Sequence, residues 1–277
     1  MSHYTVGVII KKEDVNKEIN KLIEGANEPE LNEAQKFLVT GKIIENLLNK
    51  ALKPFDENME VESYISIPMK EVKEKFEKIK SYEGDNEYYL NMKNKYKDMT
   101  LDEFIREYYC QDYNEEGLMS TYNPNSKWDW YVIGGRWEGD LPIKNKKESK
   151  VDNSFCYNNS DDFAQIKDIE FTKELSNEEI CEFRITYNEL ITKGTFYKPE
   201  YYQKRYPTFD VYLEEQKVFS TYALLTPDGK WHEPGEMGWF GTNSATPEDE
   251  KDFKNTYNTL IKEQNPEDYF VLVDCHI

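Results

Sequence analysis

The chain has 277 residues, 38% of them hydrophobic and 14% aromatic, which is enough apolar material for a core and excludes a disordered chain. Its 54 acidic and 35 basic residues give a formal charge of -19, which opposes sequence-independent binding to polymeric nucleic acid or to an anionic membrane. An acidic protein can also mimic a nucleic acid, but here acidic residues alternate with lysines along helical stretches, as on an ordinary solvated face.

The cysteines and the N-terminal residues indicate the compartment. Cys110, Cys156, Cys181 and Cys275 lie far apart without Cys-x-x-Cys spacing, so neither a zinc ribbon nor a dithiol redox site is indicated. No signal peptide is visible, and no apolar run approaches the ~20 residues that span a bilayer. We therefore expect reduced thiols in a soluble, cytoplasmic protein.

The first half of the chain opens with a strand and continues mainly as helices. Tyr4 to Ile10 is a β-branched apolar run, typical of a strand buried on both faces. Apolar residues recur at helical spacing over about 13–52, with a break at 27–29 that divides the run into two helices. A strand is predicted near Met59 to Ile67, and a charged helical region over 69–109.

The second half predicts a loop, two helices and two strands. The polar stretch at about 144–160 has the composition of a mobile loop. Helical patterns cover 177–191, where Ser176 is a candidate N-cap, and 248–262. Strands are predicted at 218–225 and at 269–274. The tyrosine-rich segment 195–222 is expected to be extended or mixed in structure.

Strands at both ends of the chain with helices between them predict an α+β fold. We expect one domain over residues 1–277, built on a single sheet in which both terminal strands are central. Helices pack on this sheet, and the runs at about 13–52 and 69–109 are helical insertions.

Two segments concentrate the tryptophans. Thr121 to Trp137 contains three of the five, beside an Asp, a Gly pair and an Arg, and Thr226 to Gly241 contains the other two with His232. Indoles are most often core residues, so a structural role for Trp128, Trp130 and Trp137 stands as the alternative. The glycines favour a binding role, because they weaken regular structure unless a backbone must be approached closely.

If the two segments meet, they form an aromatic pocket for a small nucleotide-like ligand. Indole faces stack on a base, and the Arg136 fork with backbone N–H groups at Gly134 and Gly135 suits a phosphate. A local site can hold one small anion despite the global charge. The predicted ligand-binding residues are Trp128, Trp130, Gly134, Gly135, Arg136, Trp137, Trp231, His232 and Trp239.

Catalytic candidates are few, because the chain has three histidines. His3 is expected to fray at the chain end. His232 lies in a Gly/Pro-rich loop, and His276 ends the last strand. Asp129, His232 and His276 are the candidate catalytic residues, although no nucleophile elbow, zincin helix or P-loop accompanies them. Cys275 cannot pair with His276, because neighbouring strand residues point to opposite faces.

Donor atoms that suit a metal occur in Asp129, His232, Glu236, Asp274 and His276. No pair of these residues has a recognised ligand spacing. Asp129 and Asp274 are equally suited to accept backbone hydrogen bonds or to pair with Arg136. We predict no metal and no cofactor.

The residues at both ends and in the middle resemble a family of uncharacterised bacteriophage and prophage proteins. The most specific segments are Lys-Trp-Asp-Trp-Tyr-Val-Ile-Gly-Gly-Arg-Trp at 127–137 and Thr-Pro-Asp-Gly-Lys-Trp-His-Glu-Pro-Gly-Glu-Met-Gly-Trp-Phe-Gly at 226–241. The opening strand and the final Val-Asp-Cys-His-Ile also match. The region 13–52 is longer than in these relatives, so nothing is carried over there.

The resemblance implies a protein that acts on host defence inside the host cell. Three functions from different classes stay open. The leading one is sequestration of a nucleotide second messenger, the second is hydrolysis of such a molecule by Asp129, His232 and His276, and the third is an acidic inhibitor that docks on a host defence nuclease. The oligomeric state is left open.

Overall fold

A computed structural model describes residues 2–26, 33–144, 162–238 and 242–277. Trp239 and residues 145–160 of the predicted loop lie outside this part of the chain. The fold divides into two compact units, one formed by Met1–Asp56 with Ser126–Ile277 and the other by Glu57–Asn125. The second unit contains the helical insertion expected at 69–109, and the prediction of a single domain stays a prediction.

The described residues form helices and strands in both units. The helices are α1 Lys12–Ala26, α2 Glu33–Leu52, α3 Met69–Lys80, α4 Glu87–Tyr96, α5 Leu101–Phe104, α6 Asn177–Lys193, α7 Pro199–Arg205, α8 Phe209–Gln216 and α9 Pro247–Glu263. The strands are β1 His3–Ile10, β2 Tyr64–Pro68, β3 Gly117–Ser120, β4 Trp130–Ile133, β5 Phe163–Gln165, β6 Ala223–Leu225, β7 Trp231–His232 and β8 Tyr269–His276.

The first unit is built on a mixed six-stranded sheet with the order β4-β8-β1-β6-β7, in which β5 also pairs with β8. The two terminal strands are antiparallel neighbours along their whole length, from His3 opposite His276 to Ile10 opposite Tyr269. Both strands are almost continuously buried, as their apolar runs require. The prediction of an α+β fold with both terminal strands central is confirmed.

One face of this sheet is covered by α1 and α2. Ile44, Leu48 and Leu52 of α2 are fully buried and join Val6 and Val8 of β1 in one core. The residues predicted as a helical insertion at about 13–52 therefore supply a layer of the first unit, because their apolar stripe has the sheet face as its partner.

The other face is covered by α9. Phe253, Tyr257 and Ile261 lie on one side of this helix and pack with Phe270 and Leu272 of β8. The helix begins at a capping box formed by Thr246 with Asp249, followed by a proline. The helix predicted at 248–262 is present with one more residue at each end.

The second unit pairs β2 with β3 and packs α3, α4 and α5 around Phe76, Tyr96 and Phe104. The strand expected near Met59 to Ile67 begins later, at Tyr64, because β3 provides only four residues for pairing. The tyrosine-rich segment 195–222 differs more from the expectation, since most of it forms α7 and α8. In the part of the chain that the structure describes, no helix combines the length and apolarity needed to cross a bilayer.

Candidate functional site

Three strands of the first unit bring aromatic rings side by side at one end of the sheet. His3 of β1 lies opposite His276 of β8, and His276 lies opposite Trp130 of β4. Directly opposite residues on neighbouring strands project to the same face, so the three rings form a row. The ring centroids of His3 and His276 are 4.9 Å apart.

Each imidazole of this row is held by a carboxylate. Nδ1 of His3 lies 2.8 Å from Oδ1 of Asp274, and Nδ1 of His276 lies 2.7 Å from Oδ1 of Asp129. Asp274 is buried, and Asp129 is partly exposed. A carboxylate on Nδ1 fixes the orientation of the ring and leaves Nε2 as the atom for other chemistry.

Trp130 closes the row on its outer side. Its indole is stacked on the His276 ring, with centroids 4.8 Å apart and planes inclined by 18°, and it meets the His3 ring in a T-shaped contact with centroids 5.1 Å apart. The residue is 42% exposed, so part of the indole remains open to solvent. Trp130 is therefore not a core residue, and the structural role that the sequence left open does not apply to it.

The Gly134–Arg136 turn supports the row from one side. The backbone N–H of Arg136 donates to Oδ2 of Asp274 at 3.0 Å, while Oδ1 of the same carboxylate contacts His3. Gly134 and Gly135 have φ values of 68° and 57°, which other residues rarely adopt. A Cβ on Gly135 would lie 2.4 Å from that of Asp274, so the close approach requires glycine. Of the N–H groups predicted to bind an anion, that of Gly134 donates to the Leu272 carbonyl at 2.9 Å, and the adjoining N–H of Arg136 is occupied by a carboxylate of the protein itself.

The side chain of Arg136 is exposed. Among the residues that the structure describes, its guanidinium forms no ion pair. It therefore retains the bidentate fork that suits a phosphate or carboxylate. We call His3, Asp129, Trp130, Arg136, Asp274 and His276 the paired-histidine site.

The two tryptophan segments do meet in space, at Phe55. Trp231 packs on the Phe55 ring at a centroid distance of 5.0 Å, and the backbone N–H of Trp128 donates to the Phe55 carbonyl at 3.3 Å. An ion pair of 2.6 Å between Lys127 and Glu233 joins the segments a second time. Phe55, Trp128 and Trp231 belong to one core cluster, so the described residues of the two segments meet by packing against each other.

This placement corrects the predicted aromatic pocket. Trp128 is only 7% exposed and donates its indole N–H to the Leu52 carbonyl, so it is a core residue. Trp137 packs against the core under α9, and Trp231 is half-buried with its N–H on Glu233. We therefore leave Trp128, Trp137 and Trp231 out of the site.

His232 lies on β7, at the opposite edge of the sheet from β4. Its Nε2 is 3.2 Å from the Thr226 hydroxyl, and burial lowers the pKa of the imidazole. The three proposed catalytic residues are therefore not one constellation, since Asp129 and His276 meet and His232 does not join them. His232 lines a separate cleft of about 360 Å³ together with Lys11 and Lys230.

His3 is the site residue that sequence reasoning missed. It does not fray, because it belongs to β1 and the backbones of Ser2 and Ile277 exchange two hydrogen bonds of 3.0 Å beyond it. The signal was present in the sequence. His3 directly precedes one apolar run and His276 follows the other, so antiparallel pairing of the two terminal strands places them opposite each other.

Cys275 lies in the core under α2, on the sheet face opposite His276, as the alternation of strand residues predicts. Burial raises the pKa of its thiol well above the usual value. Over the described ranges, no three His, Cys, Asp or Glu side chains are placed to hold a metal ion.

Comparison of the chain with protein-family models, with curated proteins and with solved structures found no match. The resemblance to a bacteriophage and prophage family therefore stays a prediction from the sequence.

Proposed function

We propose that the protein captures a small nucleotide-type ligand at the paired-histidine site. The observation that carries this proposal is the row of Trp130, His276 and His3, in which an open indole adjoins two imidazoles that carboxylates hold in place. An aromatic surface beside fixed, titratable donors suits a molecule with a flat ring and a phosphate.

The open part of the Trp130 indole is the candidate stacking surface for a base. Stacking of a base on an aromatic side chain contributes ~1–3 kcal/mol and does not depend on the identity of the base. The packing of one indole face on His276 and the T-shaped contact with His3 restrict the motion of the indole. Little conformational entropy is therefore lost when a ligand stacks on it.

The phosphate would be bound by imidazole Nε2 atoms and by Arg136. The His3–Asp274 and His276–Asp129 pairs are each neutral when the imidazole is protonated, and the exposed guanidinium then adds a positive charge. This local charge acts within about 8–10 Å, the screening distance at ordinary salt. A small anion experiences mainly the site, whereas a polymer experiences the whole surface with its charge of -19.

The biological role that we propose is counter-defence by sequestration. A phage-encoded protein that holds a nucleotide second messenger would lower the concentration of the signal in the cytoplasm of the host cell. The counter-defence role is inferred from the resemblance to phage proteins, whereas the binding site is inferred from the structure. The acidic surface supports the competing possibility of an inhibitor that docks on a basic host protein.

The test is ligand-induced thermal stabilisation with a panel of cyclic, linear and ADP-ribose-type nucleotides. We expect at least one nucleotide to raise the Tm of the wild type. Trp130→Ala should abolish the shift, and the matched control Phe196→Ala, which removes a 69% exposed aromatic ring elsewhere, should retain it. No shift with any nucleotide, together with salt-sensitive binding to a basic protein, would favour the inhibitor instead.

A further inference from the structure

We infer that a groove between α9 and the edge strand β7 binds an extended, basic segment of a partner protein. The groove combines the cleft of about 360 Å³ that His232 lines with an adjoining cavity of about 370 Å³, which His232 lines as well. We call it the edge groove; its walls are residues 226–234 and one face of α9. Because β7 and β4 lie at opposite edges of the sheet, this inference is independent of the ligand capture proposed above.

One wall of the edge groove is a single face of α9. The helix residues that line it at the surface are Asp249, Asp252, Thr256, Leu260, Glu263 and Gln264. Their spacing follows the helical period, so they form one stripe along the helix. From Asp249 to Glu263 the stripe is about 21 Å long at ~1.5 Å per residue, and an extended chain of about six residues covers that length. The dimensions therefore suit a stretch of peptide.

The other wall is β7 with the residues on either side of it. His232 lies opposite Leu224 of β6, and Leu224 packs in the core under α9, so the imidazole projects to the α9 face. Outside the pairing with β6, neither Trp231 nor His232 forms a backbone hydrogen bond with another described residue. Alternate residues of a strand direct their backbone groups to opposite sides. One residue of β7 therefore presents its N–H and C=O to an added strand, as in other peptide-binding sheets.

The carboxylates on α9 determine the charge of the occupant. Asp249, Asp252 and Glu263 are exposed along the stripe, and none of them forms an ion pair in the described part of the chain. Hydrogen bonds from Thr246 lower the pKa of Asp249, so this carboxylate is ionised at neutral pH. The α9 wall is therefore negatively charged along its length.

The cations of the edge groove do not balance this charge. Lys230 pairs with Asp228 at 2.6 Å, and Lys11 lies 3.6 Å from Glu13. Both lysines line the smaller part of the groove, and among the described residues no lysine or arginine lines the larger part. The charge of -19 on the whole chain adds to the local excess. Charge complementarity therefore favours a segment that carries lysine or arginine.

The test uses a fluorescein-labelled peptide in which four lysines alternate with three threonines, with binding followed by fluorescence anisotropy. Successive side chains of a strand point to opposite faces, so all the lysines can face α9 while the threonines point away. We expect saturable binding to the wild type and no binding of the same peptide with glutamate in place of lysine. Failure of the lysine peptide to bind would overturn the inference.

Two matched pairs of variants locate the binding. Asp252→Lys should weaken it at least ~10-fold, whereas Glu24→Lys, exposed on α1 across the sheet, should change it less than ~2-fold. Thr256→Phe should fill the edge groove and block binding. Thr259→Phe, exposed on the same helix outside the groove, should bind like the wild type. Equal losses within either pair would show diffuse attraction to an acidic surface, and the edge groove would not be the site.

Methylation of the peptide backbone tests the added strand. The lysine nitrogens are methylated in one peptide and the threonine nitrogens in another, and the charges stay the same. Because only every second N–H of a strand faces its neighbour, one of the two peptides should bind ~10-fold more weakly than the other. Equal affinities would contradict strand addition. So would displacement of the labelled peptide by spermine at the concentration that unlabelled peptide requires, because the groove would then attract any polycation.

Discussion

The indole of Trp130 lies stacked on the imidazole of His276, with ring centroids 4.8 Å apart. The contact crosses from β4 to β8 and continues to His3 on β1. It links an exposed aromatic surface to two imidazoles whose Nδ1 atoms are already held. The proposed ligand capture depends on this row, and the following predictions test the packing around it and elsewhere in the sheet.

Trp128 and Trp130 lie two residues apart in the chain, but their substitution by alanine should have very different effects on stability. Trp128 is buried and donates to the Leu52 carbonyl, so Trp128→Ala should cost ~3–5 kcal/mol of unfolding free energy. Trp130→Ala should cost about 1 kcal/mol, because part of the indole is already in water. Urea denaturation of both variants measures the difference, and equal losses would contradict the assignment of Trp130 to the surface.

Gly135 and Gly229 form a matched pair for the turn beside Asp274. Both have positive φ, but a Cβ on Gly135 would collide with Asp274, whereas a Cβ on Gly229 has no neighbour within 4 Å. Gly229→Ala should therefore lower the free energy of unfolding by only about 1–2 kcal/mol, the cost of a left-handed backbone conformation for alanine. Gly135→Ala should lower the free energy of unfolding by more than this, and it should also displace the Asp274 carboxylate that holds His3.

The stability of the two glycine variants is measured by thermal unfolding, and ligand capture is measured on the same samples. We expect Gly229→Ala to bind like the wild type and Gly135→Ala to bind weakly. Normal capture by a destabilised Gly135→Ala protein would show that the Asp274 contact does not matter for the site.

His232 should make stability depend on pH in one direction. Burial lowers the pKa of its imidazole, so the unfolded chain takes up the proton more readily than the folded protein. The contribution of His232 is therefore intact above the unfolded pKa of about 6.5 and is lost as the pH falls through that value toward the folded one. The Tm gap between the wild type and His232→Asn should thus move in favour of the variant from pH 8 to pH 5. A gap that stays constant would show that the residue does not titrate differently on folding.

Elements with strong local signals could be predicted from the sequence. The two β-branched terminal runs predicted the central strands, and Ser176 was correctly predicted as the N-cap of α6. The short strand β4 could not be found in this way, because four residues become a strand only through pairing with β8. Helices α7 and α8 were missed because tyrosine-rich sequences have no decisive helical period.

The site was predictable in its residue types and less so in its geometry. Asp129 and His276 were both expected to act, and the structure brings them to 2.7 Å. Sequence could not distinguish the buried Trp128 from the exposed Trp130, since both lie in one short polar and aromatic segment. His3, the residue opposite His276, was overlooked because it lies near the end of the chain. Its position is fixed only by the pairing of β1 with β8.

The most direct test of the account is an NMR titration that observes the imidazole nitrogens. The chain has three histidines, so the spectra of ¹⁵N-histidine-labelled protein contain one set of signals each for His3, His232 and His276. We predict that a nucleotide from the panel shifts the Nε2 signals of His3 and His276 together and leaves those of His232 unchanged. Unchanged His3 and His276 signals at saturating nucleotide, or a shift confined to His232, would contradict the paired-histidine site.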